Sequence, residues 1–596
     1  MSDISFEETQ ESLEQELMRI GSLLTVDIGA INTRAALYDA VEGKYRFLAA
    51  GVGQTTVNHP LFEVNEGVQL ALDRLERISG RILAEESNLI IPSTKDGAGA
   101  DYLAVTLSAG EPLKTVVVGL LERVSLASAR NLANTIYSTV IESISLDDQR
   151  SPEGQIDTIQ RLRPDVILIA GGTDDGASQS VLKLVNSIGL ALYLLPESHR
   201  PEVLYAGNPK LADQVRTFIE HLAPIHIAPN IRPDLAKEQL GPAQTMITDI
   251  FRRIHVGRVP GMAALNAWSG GNLLPSSHGL GRVIRFFSQI VSNPESKGVL
   301  GVNVGASSTV VAGGFNGDLR LRVFTPLGMG EGLKTILEDS QMEDILRWLP
   351  IEVSPLYILD YIQTKITHPA TLPATLQDLS IEQALAREVI RKSVAGAISG
   401  FPRDVYRLEA NTLPVFDPIF AGGAVLANAP SLSQSLLMIL DALEPTGIQR
   451  IILDKNNLAS GLGAAAAIAP SLVSQLLLDP TAFLNLGFVI SPISKAREGI
   501  PVLRIRIQYE TGHENVLEVQ HGELTTLPLS IGQRARIYLD PLHRTNIGFG
   551  PGKSSSLQVV GGPFGVVIDA RGRPIRFSPD VEKRYKQIRR WQAAFT

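Results

Sequence analysis

Residues 23–39 read LLTVDIGAINTRAALYD, and the rest of the chain is organised around them. A β-branched apolar strand runs into Asp27-Ile28-Gly29, turns through Ala30-Ile31-Asn32 and resumes as a second apolar strand from Ala35 to Tyr38. A carboxylate and a tight turn therefore meet at a hairpin tip. Glycine at such a tip lets backbone N–H groups approach an anion, and a neighbouring carboxylate can hold a hydrated Mg²⁺ through water. Asp-x-Gly is also a common turn tripeptide, so the remaining sequence decides what this one means.

The same parts recur in the same order. KGVLGVNVGASSTVV at residues 297–311 repeats the hairpin, with Asn303-Val304-Gly305 where the first copy has Asp27-Ile28-Gly29. DVILIAGGTD at 165–174 and FDPIFAGG at 416–423 are apolar strands that stop on a Gly-Gly pair, a junction that admits a ligand close to the backbone at the carboxyl end of a strand. EVLYAGN at 202–208 is likewise matched by RIILD at 450–454. This reading predicts a duplicated α/β protein with a ligand between its halves, a natural place for hinge closure. Its divisions are a helical lead-in at 1–22, a first half at 23–250 and a helical and loop connection at 251–296, then a second half at 297–479 and a separate β-rich module with a terminal helix at 480–596.

The chain has 596 residues, 44% of them hydrophobic, which suits about three to five globular units. Its net charge of −8 argues against a nucleic-acid surface over the whole molecule. The absence of cysteine removes disulfides, thiolate metal sites and thiol nucleophiles. Residues 2–19 lack the basic and apolar regions of a secretory signal, and the alanine-rich run from Gly461 to Leu478 is broken by Pro470. A cytoplasmic protein with no membrane and no nucleic-acid partner is expected. Gly548-Phe-Gly-Pro-Gly-Lys-Ser554 imitates a P-loop, but Ile547 stands where the first glycine is needed and Pro551 removes a donor.

The doubled Asp-x-Gly hairpin and the late Ala-Gly-Gly resemble the phosphate and adenosine motifs of the actin, sugar kinase and Hsp70 ATPase superfamily. More narrowly, residues 161–174, preceded by Ser108-Ala-Gly110 and Ser145-Leu-Asp-Asp148, resemble the glutamate mutase accessory family, the MutL-type proteins unrelated to mismatch repair. The likeness runs in order from Leu23 to Leu477. It implies duplicated actin-like (ribonuclease H-like) halves, ATP and Mg²⁺ as ligands, and a chaperone-like accessory or reactivating role toward a B12-dependent mutase.

On that resemblance, Asp27, Gly29, Thr33 and Arg34 form the first phosphate loop, with Asp27 the metal-linked carboxylate. Gly305, Ser307, Ser308 and Thr309 form the second, Gly422 and Gly423 the adenosine platform, and Gly171, Gly172, Thr173 and Asp174 its counterpart in the first half. Asp454 is a ribose or base contact, or else it caps a helix or sits in a turn. Asn303 departs from the family's acid, and an amide cannot serve as a general base near neutral pH, so at most a weak ATPase is expected. Two other readings stay open: an ATP-dependent enzyme resembling hydantoinases and oxoprolinases, and a non-hydrolysing actin-like scaffold.

Overall fold

A computed structural model describes residues 21–86, 88–148, 150–291 and 297–595. The lead-in expected over 1–22 lies outside the described residues except for Gly21 and Ser22. Leu23–Ile28, buried along almost its whole length, is the central strand of a five-stranded sheet. On one side lie its hairpin partner Asn32–Val41 and then Lys44–Gln54, each antiparallel to the strand before it; on the other lie Tyr102–Leu107 and then Leu273–Pro275, both parallel. A second sheet repeats the plan, with Gly298–Val304 flanked by Thr309–Phe315 and Asp318–Phe324 on one side and by Phe416–Gly422 and Gly447–Leu453 on the other. Two copies of this antiparallel-then-parallel sheet are the duplicated actin-like architecture.

The internal equivalences differ from those expected. Phe416–Gly422 lies beside its hairpin strand, so its counterpart is Tyr102–Leu107, which lies beside Leu23–Ile28. Val166–Ile169 belongs instead to a separate, wholly parallel sheet, ordered Ile225–Ile227, Glu202–Tyr205, Val166–Ile169, Leu113–Val118, Ser138–Ile144. A run such as Val-Ile-Leu-Ile marks a strand buried on both faces, but nothing in it says which sheet it joins. The first sheet is completed only after this insertion, by Leu273–Pro275.

The C-terminal region is sheet-rich but not detached. Leu484–Ser491 pairs antiparallel with Gly447–Leu453, and Val566–Asp569 and Leu524–Leu527 extend the second sheet to eight strands. Pro501–Tyr509, Glu514–Gln520, Arg534–Pro541 and Ser555–Val560 form a further antiparallel sheet. The final helix, Val581–Ala593, buries Trp591 in the second-half core beside Phe577. Beneath it the buried Arg571 pairs with Asp569 at 2.8 Å and Asp441 at 2.6 Å. Burial pushes the Asp569 carboxyl up, yet Arg571 and Arg573 together hold it far below the usual carboxylate range. Among the described residues, no helix is long and apolar enough to cross a membrane.

Candidate nucleotide site between the halves

Two helices bring the carboxyl ends of the duplicated sheets together. Ser276–Ile290 follows the last strand of the first sheet, and Ala459–Ala465 follows Gly447–Leu453. They touch backbone to backbone: a Cβ on Gly463 would lie 1.9 Å from the Gly279 carbonyl oxygen, and one on Gly279 would lie 2.0 Å from that of Ser460. Only glycine fits such an approach.

The two hairpin tips thereby line one polar cavity of about 150 Å³. They are structural copies. The Gly29 N–H donates to the Asn32 carbonyl at 3.0 Å and the Gly305 N–H to that of Ser308 at 2.9 Å. The glycine amides are thus consumed in closing the turns. The N–H groups left for an anion are those of Ala30, Ile31, Ala306 and Ser307, which line the cavity and have no acceptor among the described residues. Four unpaired donors on two chain segments that line one cavity suit an anion.

Asp27 stands at its floor. It accepts hydrogen bonds from Thr106 Oγ1 at 2.5 Å and Ser276 Oγ at 2.8 Å, both on Oδ1, which leaves Oδ2 without a protein donor among the described residues. Burial pushes this carboxyl up, against the two hydroxyls and Arg34. Arg34 pairs with Asp27 across the hairpin, so both side chains share a face and line the cavity. No group of three or more His, Asp or Glu that could hold a metal ion occurs among the described residues. Asp27 Oδ2 is the carboxylate oxygen left to meet a cation at this cavity.

Ser307, Ser308 and Gly423 line the same cavity, as do Asn303 and Asp454. Gly423 has φ 101°, and a Cβ there would lie 2.1 Å from the Val304 carbonyl oxygen, so the turn admits only glycine. Its N–H donates to Asn457 Oδ1 at 2.9 Å. Asp454 accepts the N–H groups of Leu458 at 2.8 Å and Ala459 at 2.9 Å, the capping alternative among its sequence readings. Burial pushes its carboxyl up to about 6, against those N–H groups and Arg34.

Thr33 and Thr309 lie elsewhere. They pair with Ile28 and Val304, whose side chains face the core, and both are fully buried. The Thr33 hydroxyl sits 3.0 Å from that of Thr55, which donates to the Gly29 carbonyl at 2.7 Å, so it braces the turn from behind. Gly422 lies one residue short of the cavity wall, between Asn303 and Asp454. Gly171, Gly172, Thr173 and Asp174 sit at the end of a strand of the inserted sheet and do not line this cavity. Their turn is closed by protein: Asn230 Nδ2 donates to the Gly172 carbonyl at 3.0 Å and to Asp174 Oδ1 at 2.9 Å, and a Cβ on Gly171 would lie 2.9 Å from Leu120. Thr106, Ser276 and Asn457 are site residues that motif reading missed; each is a polar residue at or just beyond the carboxyl end of an apolar strand.

Past Ile31, Asn32, Gly305 and Ala424 the polar cavity opens into a larger one of about 830 Å³. Leu372, Leu376, Leu379 and Val425 give it apolar walls, and its polar members include Lys365, Glu382 and Gln383 together with Gln54, Thr371, Thr375 and Asn428. A small polar cradle joined to an apolar chamber of this size suits a ligand with an anionic end and a flat, weakly polar one.

The chain is similar to several known proteins. Protein MutL of Clostridium tetanomorphum is 22% identical over 254 residues, 41% of this chain and 53% of that protein, so the match spans about half the length of the curated relative. Similar solved structures include a nucleotide-free acetone carboxylase, 12% identical over 85% of this chain and 81% of that one, with a TM-score of 0.31. A glycerol dehydratase reactivase is 11% identical over 75% of this chain and 99% of that one, TM-score 0.28. The ethanolamine utilization protein EutJ of Carboxydothermus hydrogenoformans is 10% identical over 76% and 98%, TM-score 0.27. The family described as MutL protein matches residues 23–479, most of the chain, and the protein belongs to that family.

Proposed function

We propose that the protein is a nucleotide-binding accessory factor that reactivates an adenosylcobalamin-dependent mutase of the glutamate mutase kind, with ATP-Mg²⁺ held between its two actin-like halves. The observation that carries the nucleotide reading is the cradle: Ala30 and Ile31 line the same cavity as Ala306 and Ser307, and the N–H groups of all four have no acceptor among the described residues. Phosphates would take these donors and Arg34, while the base and ribose would occupy the chamber walled by Leu372, Leu376 and Val425. A hydrated Mg²⁺ on Asp27 would offset phosphate charge. A ligand gripped from both halves favours the closed arrangement over an open one, and that difference is the only means by which nucleotide can change how a partner is held. The partner assignment rests on membership of the MutL family.

Titration calorimetry of the full chain with ATP-Mg²⁺ tests the ligand, and recovery of an inactivated B12-dependent mutase in the presence of protein and ATP tests the role. Binding that weakens at least about tenfold in Arg34→Ala supports the reading. Silence at millimolar ATP removes it.

A third cavity of about 540 Å³ adjoins the cradle at Ala30 and Ser307 and presents Glu111 and Glu331, which favours the amide- or ureide-activating enzyme as the second reading. Phosphate release that appears only when a small amide or cyclic ureide is added would select it.

A further inference from the structure

Asn303 and Gly422 stand side by side on neighbouring strands, and Asp454 follows directly on the end of the next strand, Gly447–Leu453. Asn303 pairs with Gly422, and Ala421 pairs with Leu453, which sets Gly422 level with Asp454. Residues level with one another in a sheet share a face, so the amide and the carboxylate project the same way across about two strand spacings, roughly 10 Å of backbone. The residue between them has no side chain. A Cβ on Gly422 would lie 3.4 Å from Asp454 Cβ and 3.9 Å from Asn303 Oδ1, so glycine keeps the ground between the two groups clear. Both groups line the polar cavity that holds Asp27 and the anion cradle.

Asp454 is also aimed with little freedom. Each carboxylate oxygen accepts one backbone N–H, at 2.8 and 2.9 Å, and so keeps a lone pair for another partner. Its residue is only 3% exposed, and it sits where a sheet strand meets a helix rather than on a long loop.

We propose that Asp454 supplies the carboxylate that Asn303 lacks, acting as general base toward the water that attacks the terminal phosphate of ATP. The inference rests on the nucleotide reading above. In the step, the water oxygen forms a bond to the γ-phosphorus, the bond from that phosphorus to the β,γ-bridging oxygen breaks, and the electron pair leaves with ADP. The water proton passes to Asp454. Asn303 donates from its amide to the same water or to the phosphate and takes no proton. The acid has thus moved two strands along the sheet without leaving the cavity.

The test compares wild type, Asp454→Asn, Asp454→Ser and the double variant Asn303→Asp/Asp454→Asn, each as the full chain. ATP-Mg²⁺ binding is measured by calorimetry and phosphate release by single turnover. Asp454→Asn is expected to bind ATP within about threefold of wild type and to release phosphate about 100-fold more slowly. Asp454→Ser, whose hydroxyl still caps the helix, is expected to show the same loss, which separates the base from the cap. Returning an acid to the hairpin in the double variant is expected to recover at least about tenfold of the rate. Phosphate release at the wild-type rate in Asp454→Asn overturns the proposal, as does wild type that binds ATP and never turns it over. Wild type that fails to bind ATP overturns the nucleotide reading itself, and the calorimetry alone reveals that outcome.

Discussion

Replacing Gly463 by alanine places one methyl group where the two halves touch. The new Cβ would sit 1.9 Å from the Gly279 carbonyl oxygen and 2.5 Å from its carbonyl carbon, both backbone atoms that no rotamer change can move. A Cβ essentially never lies within 3.0 Å of such an atom, so the helices must part by at least roughly 1 Å, and overpacking of this kind costs about 1–3 kcal/mol. Alanine returns up to about 1 kcal/mol of helix propensity, leaving a net loss near 1 kcal/mol and a urea midpoint lower by about 0.5 M. The same displacement reaches the cavity, because Ser276 begins the helix that carries Gly279 and holds Asp27 Oδ1 at 2.8 Å. Stretching that bond by about 1 Å breaks it, which is expected to weaken ATP-Mg²⁺ binding about tenfold. Gly257, in the helix Gly241–Arg258 with nothing within 4 Å of its would-be Cβ, is the control, and Gly257→Ala should leave both quantities unchanged or raise stability slightly. If Gly463→Ala unfolds and binds like Gly257→Ala, the crossing is not what couples helix spacing to the site.

Arg571→Met removes one of the two arginine partners of each buried carboxylate, leaving Asp569 with Arg573 at 2.9 Å and Asp441 with Arg387 at 2.7 Å, and urea unfolding should show a loss of about 1.5–3 kcal/mol; a loss below about 1 kcal/mol would deny that this pairing ties the final segment to the second half. Gly172→Ala forces a side chain into a backbone with φ 72°, so its melting temperature should fall while calorimetry finds ATP binding intact, since that turn lies in the inserted sheet. His278, hydrogen-bonded to Thr248 Oγ1 at 2.7 Å, is depressed to about 4 from 6.5, chiefly by burial and then by Arg282. Its folded form resists the proton that its unfolded form accepts, so its contribution is whole above pH 6.5 and drains as pH falls toward 4, a total of roughly 3 kcal/mol. Asp454, raised to about 6, changes stability in the opposite sense over much of that window. The measurement is therefore the difference between wild type and His278→Gln in urea at pH 7 and pH 4, with wild type losing roughly 3 kcal/mol more; equal losses would refute the assignment.

The hairpin tips were legible because their chemistry is local: a carboxylate or amide, a glycine and a tight turn within seven residues. So was Gly423, where strand and turn follow one another in the text. Period-two alternation also separates Thr33 from Arg34, since the former shares a face with Ile28 and the latter with Asp27, and applying it removes Thr33 and Thr309 from the cavity. What the text does not carry is partnership between distant strands. Tyr102–Leu107 ends on Ser108-Ala109-Gly110 and lacks the Gly-Gly look of its true counterpart, while Val166–Ile169 has that look and belongs to another sheet. The hydroxyls of Thr106 and Ser276 reach Asp27 from positions 79 and 249 residues away, and no spacing rule announces such a meeting. The C-terminal segment read as separate because its alternation differs, yet Leu484–Ser491 hydrogen-bonds directly to the second half.

That last pairing changes what a usable fragment of this protein is. The family match stops at residue 479, the natural point at which to cut a shorter version, and the next strand begins at Leu484. A chain ended there would leave Gly447–Leu453 as a bare sheet margin, its N–H and C=O groups offered to any neighbour and Ile451 and Leu453 beside them. Unprotected margins of this kind recruit other chains. The residues beyond 479 are therefore a seal on the sheet as well as an appendage, and the shortest fragment expected to stay monodisperse runs through Val566–Asp569 and the helix that follows.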